Sequence, residues 1–157
     1  MSIKVDWNFD LNKINLDLSK ELNQVAKIIR KDHHQRLEKG DCVDGIKMRA
    51  LSIRTILKKK KSKDGRISSN AYKILVATGG MRNLEIVKAT RDLPFIEVHP
   101  GRIKKYKGTN LTQADVGAKH QYGIGVPVRE WFGISEDAEA RAYKLIEQRI
   151  EQEINRA

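Results

Sequence analysis

Few side chains in this sequence have the type and spacing that chemistry demands. The four histidines are His33, His34, His99 and His120. His33 and His34 are adjacent in a stretch of helical periodicity, so they point about 100° apart and cannot chelate one metal as an i, i+4 pair would. His99 precedes a proline, and no Cys–His spacing around it or His120 reads as zinc. Acidic residues between 40 and 115 are few and scattered, which leaves a two-metal nuclease without its carboxylates. Gly79-Gly80 is not followed by Lys-Ser/Thr, and no Gly-x-Ser-x-Gly elbow exists, so neither phosphate loop nor hydrolase nucleophile is signalled. The single cysteine, Cys42, has no base nearby in sequence and rules out an internal disulfide. The expectation is a protein with no catalytic residue, no metal and no cofactor.

The charge is more informative than the chemistry. The chain of 157 residues carries a formal net charge of +11, with 39% apolar and 32% charged residues. Residues 40–108 hold 17 basic against 6 acidic residues, whereas residues 136–157 hold 4 against 6. The basic excess is therefore central, and the C-terminal stretch is acidic. Lys58, Lys59, Lys60, Lys61 and Lys63 form one run, and Arg102, Lys104, Lys105 and Lys107 a second. Such runs attract polyanions, nucleic acid above all, without reading base sequence. They are equally what a solvated loop carries. Aromatics for stacking on single strands are sparse beside them: Tyr72, Phe95 and Tyr106.

The elements that must position these residues can be read from period and punctuation. Ile3 to Phe9 alternates apolar and polar, the period of a half-buried strand. Leu18, Leu22, Val25, Ile28 or Ile29, and Arg36–Leu37 recur at helical spacing, with Asp17 or Ser19 to cap and Gly40 to stop. From Asp41 to Asn70 regular structure is weakly signalled. Asp44-Gly45 reads as a turn, Met48, Leu51 and Ile53 as anchors, and residues 40–70 as a mobile basic loop region. Met81–Thr90 and Pro94–His99 read as strands, and Gln113–Lys119 as a third, in an antiparallel meander. Ser135, followed by Glu136 and Asp137, opens a C-terminal helix over residues 136–157. Its apolar stripe is Ala138, Ala142, Leu145, Ile146, Ile150 and Ile154. No apolar run approaches the length of a membrane span, and no signal peptide is expected.

Between the third strand and the last helix lies the densest stretch, Val116–Ser135, which breaks at Gly123 and Gly125 and re-enters apolar sequence through Pro127. Glycine admits positive φ and proline fixes φ, so the chain is pinned by its own turns. Trp131 and Phe132 read as core bulk. Arg129 either fixes the loop by bonding backbone carbonyls or pairs with the acidic face of a neighbouring C-terminal helix.

The residues of this seam resemble a known family. Ala118-x-His120-Gln121-Tyr122-Gly123, followed by Val126-Pro127-Val128-Arg129-Glu130-Trp131-Phe132-Gly133-Ile134-Ser135, is similar to the H-Q-x-G … I-P-A-R-P-F-L-G-L-S signature of the virion-morphogenesis, or tail-completion, family of tailed bacteriophages. Ile74–Asn83 resembles that family's L-x-x-T-G-x-L-R-x-S segment. Asp44-Gly45-x-x-Met48-x-x-Leu51, leading to Thr55 and the lysine run, resembles its D-G-x-x-W-x-x-L … T … K-K segment. The three matches fall in order and cover roughly residues 44–140. Met48 stands where the family has an aromatic, Glu130 where it commonly has proline, and Leu84 where it has serine.

The expected fold is α+β: one domain over residues 1–157, with a long N-terminal and a C-terminal helix packed on a small antiparallel sheet carrying long basic loops. The resemblance implies a structural virion protein, assembled in the host cytoplasm and placed at the head–tail junction or the head-proximal tail end. Its implied partners are itself, as a ring that is sixfold because tails generally are, and other neck, connector or tail proteins. The basic runs would then face duplex DNA in the lumen or acidic surfaces of neighbouring rings. His120, Gln121, Pro127, Arg129, Trp131 and Phe132 form the candidate structural or interface seam. The rival expectation is a sequence-nonspecific DNA-binding protein working through the same basic residues.

Overall fold

The computed structural model describes residues 3–4, 16–60, 72–75, 80–100 and 111–155. The architecture is α+β. Four helices and a three-stranded antiparallel sheet make up the described residues' regular structure, together with one 3-10 turn.

Helix α1 (Ser19–Lys39) is the backbone of the fold, 21 residues and so about 31 Å long. Its greasy face, Leu22, Val25, Ala26, Ile29 and Leu37, is buried as the periodicity requires. Leu18 occupies the N-cap position without a side-chain bond, and Asp17 Oδ1 accepts from the Ser19 N–H at 2.9 Å instead. Gly40 ends the helix at φ +73°. Its N–H returns to the Leu37 carbonyl and the Asp41 N–H to the Arg36 carbonyl, the paired bonds of a Schellman stop.

Strands β1 (Ile3–Lys4), β2 (Leu84–Val87) and β3 (Glu97–Pro100) form the sheet in the order β1-β3-β2. β2 and β3 register Ile86 against Val98 and Leu84 against Pro100, and β1 sets Ile3 opposite Val98. The expected hairpin of residues 81–99 is thus present in shortened form, and the third strand is a different one. Gln113–Lys119 is helical: α3 spans Gln113–Tyr122. A capping box forces that outcome, with Thr112 Oγ1 accepting from the Asp115 N–H and Asp115 Oδ2 accepting from the Thr112 N–H. The meander is accordingly replaced by a sheet whose third strand comes from the beginning of the sequence.

Helix α4 (Glu136–Ile154) starts at the Ser135 cap and packs along α1, burying Ala138 and Ile146. Ile154 departs from the expected stripe and is 59% exposed, because at 100° per residue it falls on the outer face of α4 in line with Glu136 and Glu147. Arg149 reaches the Glu21 carboxylate at 3.5 Å where the two helices cross.

The region expected to be a loop over 40–70 is partly ordered. Asp41 and Lys47 bridge across a turn in which Gly45 sits at φ +80° and Asp44 Oδ1 accepts from the Ile46 N–H. Helix α2 (Ile53–Lys60) follows, opened by Ser52, whose hydroxyl accepts from the Thr55 N–H. Thr55 and Ile56 turn inward while Ile53, expected as an anchor, is 77% exposed. Residues 61–70 lie outside the described residues, as do 5–9 of the first expected strand. No helix among the described residues is long and apolar enough to cross a membrane.

Candidate functional site

The seam begins with α3 and not with a strand. Gly117 lies in the middle of that helix, where glycine costs about 1 kcal/mol relative to alanine. Its reason is packing: a methyl there would overlap Trp131 Cζ2. Trp131 is 1% exposed, and its indole N–H donates to the Gly117 carbonyl at 2.9 Å. The bare backbone of α3 is both the floor under the indole and its hydrogen-bond acceptor.

After α3 the chain turns back on itself. Gly123 sits at φ +72° as the helix stop, with the Ile124 N–H returning to the Lys119 carbonyl at 2.9 Å. The Arg129 N–H then donates to the His120 carbonyl at 2.7 Å, so residues 120–129 form a loop whose ends are tied together. Gln121 completes the closure. Its Oε1 accepts from the Trp131 and Phe132 N–H groups, both at 3.1 Å, and its Nε2 donates to the Phe132 carbonyl at 3.3 Å. One amide side chain thereby substitutes for the strand partner that this segment lacks.

Arg129 resolves in favour of the backbone. Its Nε donates to the Arg49 carbonyl at 3.1 Å and its NH1 to the Pro127 carbonyl at 3.3 Å and His120 Nδ1 at 3.0 Å. Because a guanidinium only donates, His120 Nδ1 is unprotonated. Burial lowers the Arg129 pKa from its usual value, and the nearby Arg49 adds to that. No carboxylate pairs with Arg129 among the described residues. Its charge is held by carbonyl dipoles.

A second arginine, Arg36, which the sequence placed on the helix stripe but not at the seam, fastens the seam to α1. Arg36 donates through Nε to Asp32 at 2.8 Å, through NH1 to the Trp131 carbonyl at 3.2 Å and through NH2 to the Gly133 carbonyl at 2.8 Å. Asp32 also accepts from the Ser135 hydroxyl at 2.6 Å. Burial would raise the Asp32 carboxyl, but Ser135 and Arg36 outweigh it and hold it below its ordinary range. The N-cap serine of α4 is therefore shared between its own helix, through the Ala138 N–H, and α1. Val43 joins from the other side, its N–H donating to the Glu130 carbonyl at 2.8 Å.

The polar face of α1 works in the same manner. His33 Nε2 lies 2.8 Å from the Met81 carbonyl and His34 Nε2 2.6 Å from the Arg82 carbonyl, so both carry the proton on Nε2. These bonds hold the 3-10 turn Gly80–Arg82 against the helix. Asn23 clamps the end of the hairpin by accepting from the Ala89 N–H and donating to the Ala89 carbonyl. His33 is 1% exposed beside the Trp131 ring, with ring centroids 5.5 Å apart. Burial pushes its pKa down to about 4, against the Met81 hydrogen bond, which favours protonation.

Of the residues singled out from sequence, His120, Gln121, Pro127, Arg129, Trp131 and Phe132 come together in one hydrogen-bonded frame. Lys58 is exposed on α2, and Lys59 and Lys60 close that helix. Lys61, Lys63, Arg102, Lys104, Lys105 and Lys107 lie outside the described residues. Cys42 is half-buried, and burial raises its thiol pKa above the usual value, which keeps it protonated. His99 pairs with Glu97 at 3.0 Å. No group of three metal-ligating side chains occurs among the described residues.

The frame presents one unusual surface. Tyr122, Ile124 and Val128, all on the tied loop or at its root, are 61%, 60% and 55% exposed. The seam thus spends its polar side chains inward and holds three large apolar ones outward. No family model matches the sequence, and neither a curated protein nor a solved structure matches it.

Proposed function

We propose that the chain is a structural virion protein of a tailed phage or prophage. In this reading it forms an oligomeric ring at the head–tail junction or the head-proximal tail end, where it completes the tail and joins it to a DNA-filled head. It performs no catalysis. One observation carries the reading: the residues that resemble the tail-completion signature are consumed in a rigid frame that displays Tyr122, Ile124 and Val128 to solvent. Buried arginines committed to carbonyls and an amide committed to backbone leave nothing in the seam to act on a substrate. A fixed apolar projection is instead what a protein partner packs on. The three ordered motif similarities supply the location in the virion.

The deciding experiment is to delete the gene from the phage or prophage that encodes it and examine the particles by electron microscopy. Filled heads beside separate tails are expected, with joining restored by the wild-type gene. Normally joined virions would overturn the proposal. A replacement of Tyr122, Ile124 and Val128 by serine should reproduce the unjoined phenotype while the purified variant keeps its thermal unfolding midpoint.

A second reading, sequence-nonspecific DNA binding by the isolated chain, is favoured by α2, which carries Arg54 and three lysines in eight residues and no acidic residue. It requires that the purified monomer bind duplex at physiological salt and lose affinity steeply as salt rises.

A further inference from the structure

Two exposed helix faces on this molecule match each other in both polarity and charge. On α2, Ile53 and Leu57 stand one turn apart, 77% and 54% exposed, flanked by the exposed Arg54 and Lys58. The opposite side of α2, through Ile56, closes a groove lined by Leu37, Met48, Leu51, Tyr72 and Ile74, while its outer face is exposed among the described residues. On α4, the outer face carries Glu136, Ala140, Glu147, Glu151 and Ile154, with Tyr143 at its edge, where it also lines a pocket with Leu22 and Val25 of α1; every one is exposed. At 100° per residue these six fall within one stripe that mixes three carboxylates with Ala140, Tyr143 and Ile154. Asp137 pairs with Arg141, and Glu153 with Arg149, but Glu136, Glu147 and Glu151 enter no ion pair among the described residues.

We infer that α2 of one copy docks on the outer face of α4 of the next, Ile53 and Leu57 packing beside Tyr143 and Ala140 while Arg54 and Lys58 meet Glu147 and Glu151. The occupant is a second copy of this chain because both halves of the complementarity are present on the same molecule. An interface made of two different patches is head-to-tail, so it propagates until the rotation closes it. The inference deepens the ring reading proposed above by giving it a surface. Eight residues of helix, about 12 Å, make a small contact, well below the usual 1,200–2,000 Å² of a stable pair. Two copies alone therefore hold each other weakly, and closure of the ring, which turns the last contact intramolecular, supplies the rest.

The test uses the full chain and two charge-reversal variants, Arg54→Glu/Lys58→Glu and Glu147→Lys/Glu151→Lys. Sedimentation of wild type at about 100 µM should show species larger than a monomer in about 50 mM salt and fewer of them in about 500 mM, because exposed charges are screened. Each variant alone should be monomeric with an unchanged unfolding midpoint. Mixed in equal amounts they should re-associate, since the acidic α2 of one fits the basic α4 of the other and the remaining faces are wild type. Wild type that stays monomeric under these conditions overturns the inference. So does a variant that associates like wild type, or a mixture that fails to. An oligomer that persists in both variants removes this surface and leaves the ring reading standing. Unjoined particles missing from the gene deletion would remove the ring reading itself. Duplex binding by monomeric wild type, lost in Arg54→Glu/Lys58→Glu, would assign α2 to nucleic acid and end the docking inference.

Discussion

His33 shows how a single buried group makes the fold depend on pH. Its pKa of about 4 lies below the usual histidine value of 6.5, so the native state favours the neutral ring while the unfolded chain takes up a proton. Stability is then fully present above about pH 6.5 and is lost as pH falls toward 4, at most about 3 kcal/mol in all. Urea unfolding at pH 7 and pH 5 should reveal the slope, and His33→Gln should flatten it. Asp32 acts in a separate window, since its lowered carboxyl withdraws stability only below its ordinary value of 3.8. Gly117 offers a second measurement at this scale. Helix propensity alone predicts a gain of about 1 kcal/mol for Gly117→Ala. The overlap with Trp131 reverses the sign, and a net loss of about 1–3 kcal/mol is expected from an overpacked core. Repeating the change in a Trp131→Leu background should remove most of the penalty, which thermal unfolding of the four proteins would read as a coupling energy.

At the scale of elements, caps carry more than their local share. Thr112→Ala breaks one capping box and should cost about 1 kcal/mol. Ser135→Ala removes a cap and also the hydroxyl that donates to buried Asp32, so its cost should be larger, about 2 kcal/mol. Differential unfolding of the two variants decides it, and equal losses would mean that the Ser135–Asp32 bond contributes nothing. The same elements show what could be read from sequence. α1, α4 and the β2–β3 pair announce themselves by period and punctuation: Leu22, Val25 and Ile29 on one face, Gly40 at the stop, Ser135 at the start. α3 was legible only through Thr112 and Asp115, because Val116, Ala118 and a central glycine imitate a strand. α2 was hidden by its own lysines, whose charge reads as solvated loop. The seam's bulk was visible in Trp131 and Phe132. Its fastenings were not, because Arg36 and Gln121 reach backbone groups far along the chain or around a tied loop, and no local pattern records such a bond.

For the molecule as a whole, the sheet order decides where the fold is vulnerable. β3 is the middle strand, and among the described residues one of its flanks is covered by Ile3–Lys4 alone. Removing residues 1–4 uncovers that edge of β3 at Glu97 and Val98. A bare strand edge invites pairing with another chain. The truncated protein should melt at lower temperature and scatter light increasingly with concentration at neutral pH, whereas the full chain should not. Equal melting and equal scattering would show that β1 contributes no protection.

The distance along the chain between Ile3 and its partner Val98 also sets a clock. A ribosome adding roughly 5–20 residues per second needs on the order of 5–20 s to cover those 95 positions. For the later part of that delay α1 has been made but its packing partners have not, and the segment ahead of it has nothing to zip onto. Synthesis of this protein therefore includes an interval in which chaperones have the apolar face of a long amphipathic helix to hold. Slowing translation downstream of residue 39 should lower the soluble yield more than slowing it after residue 100.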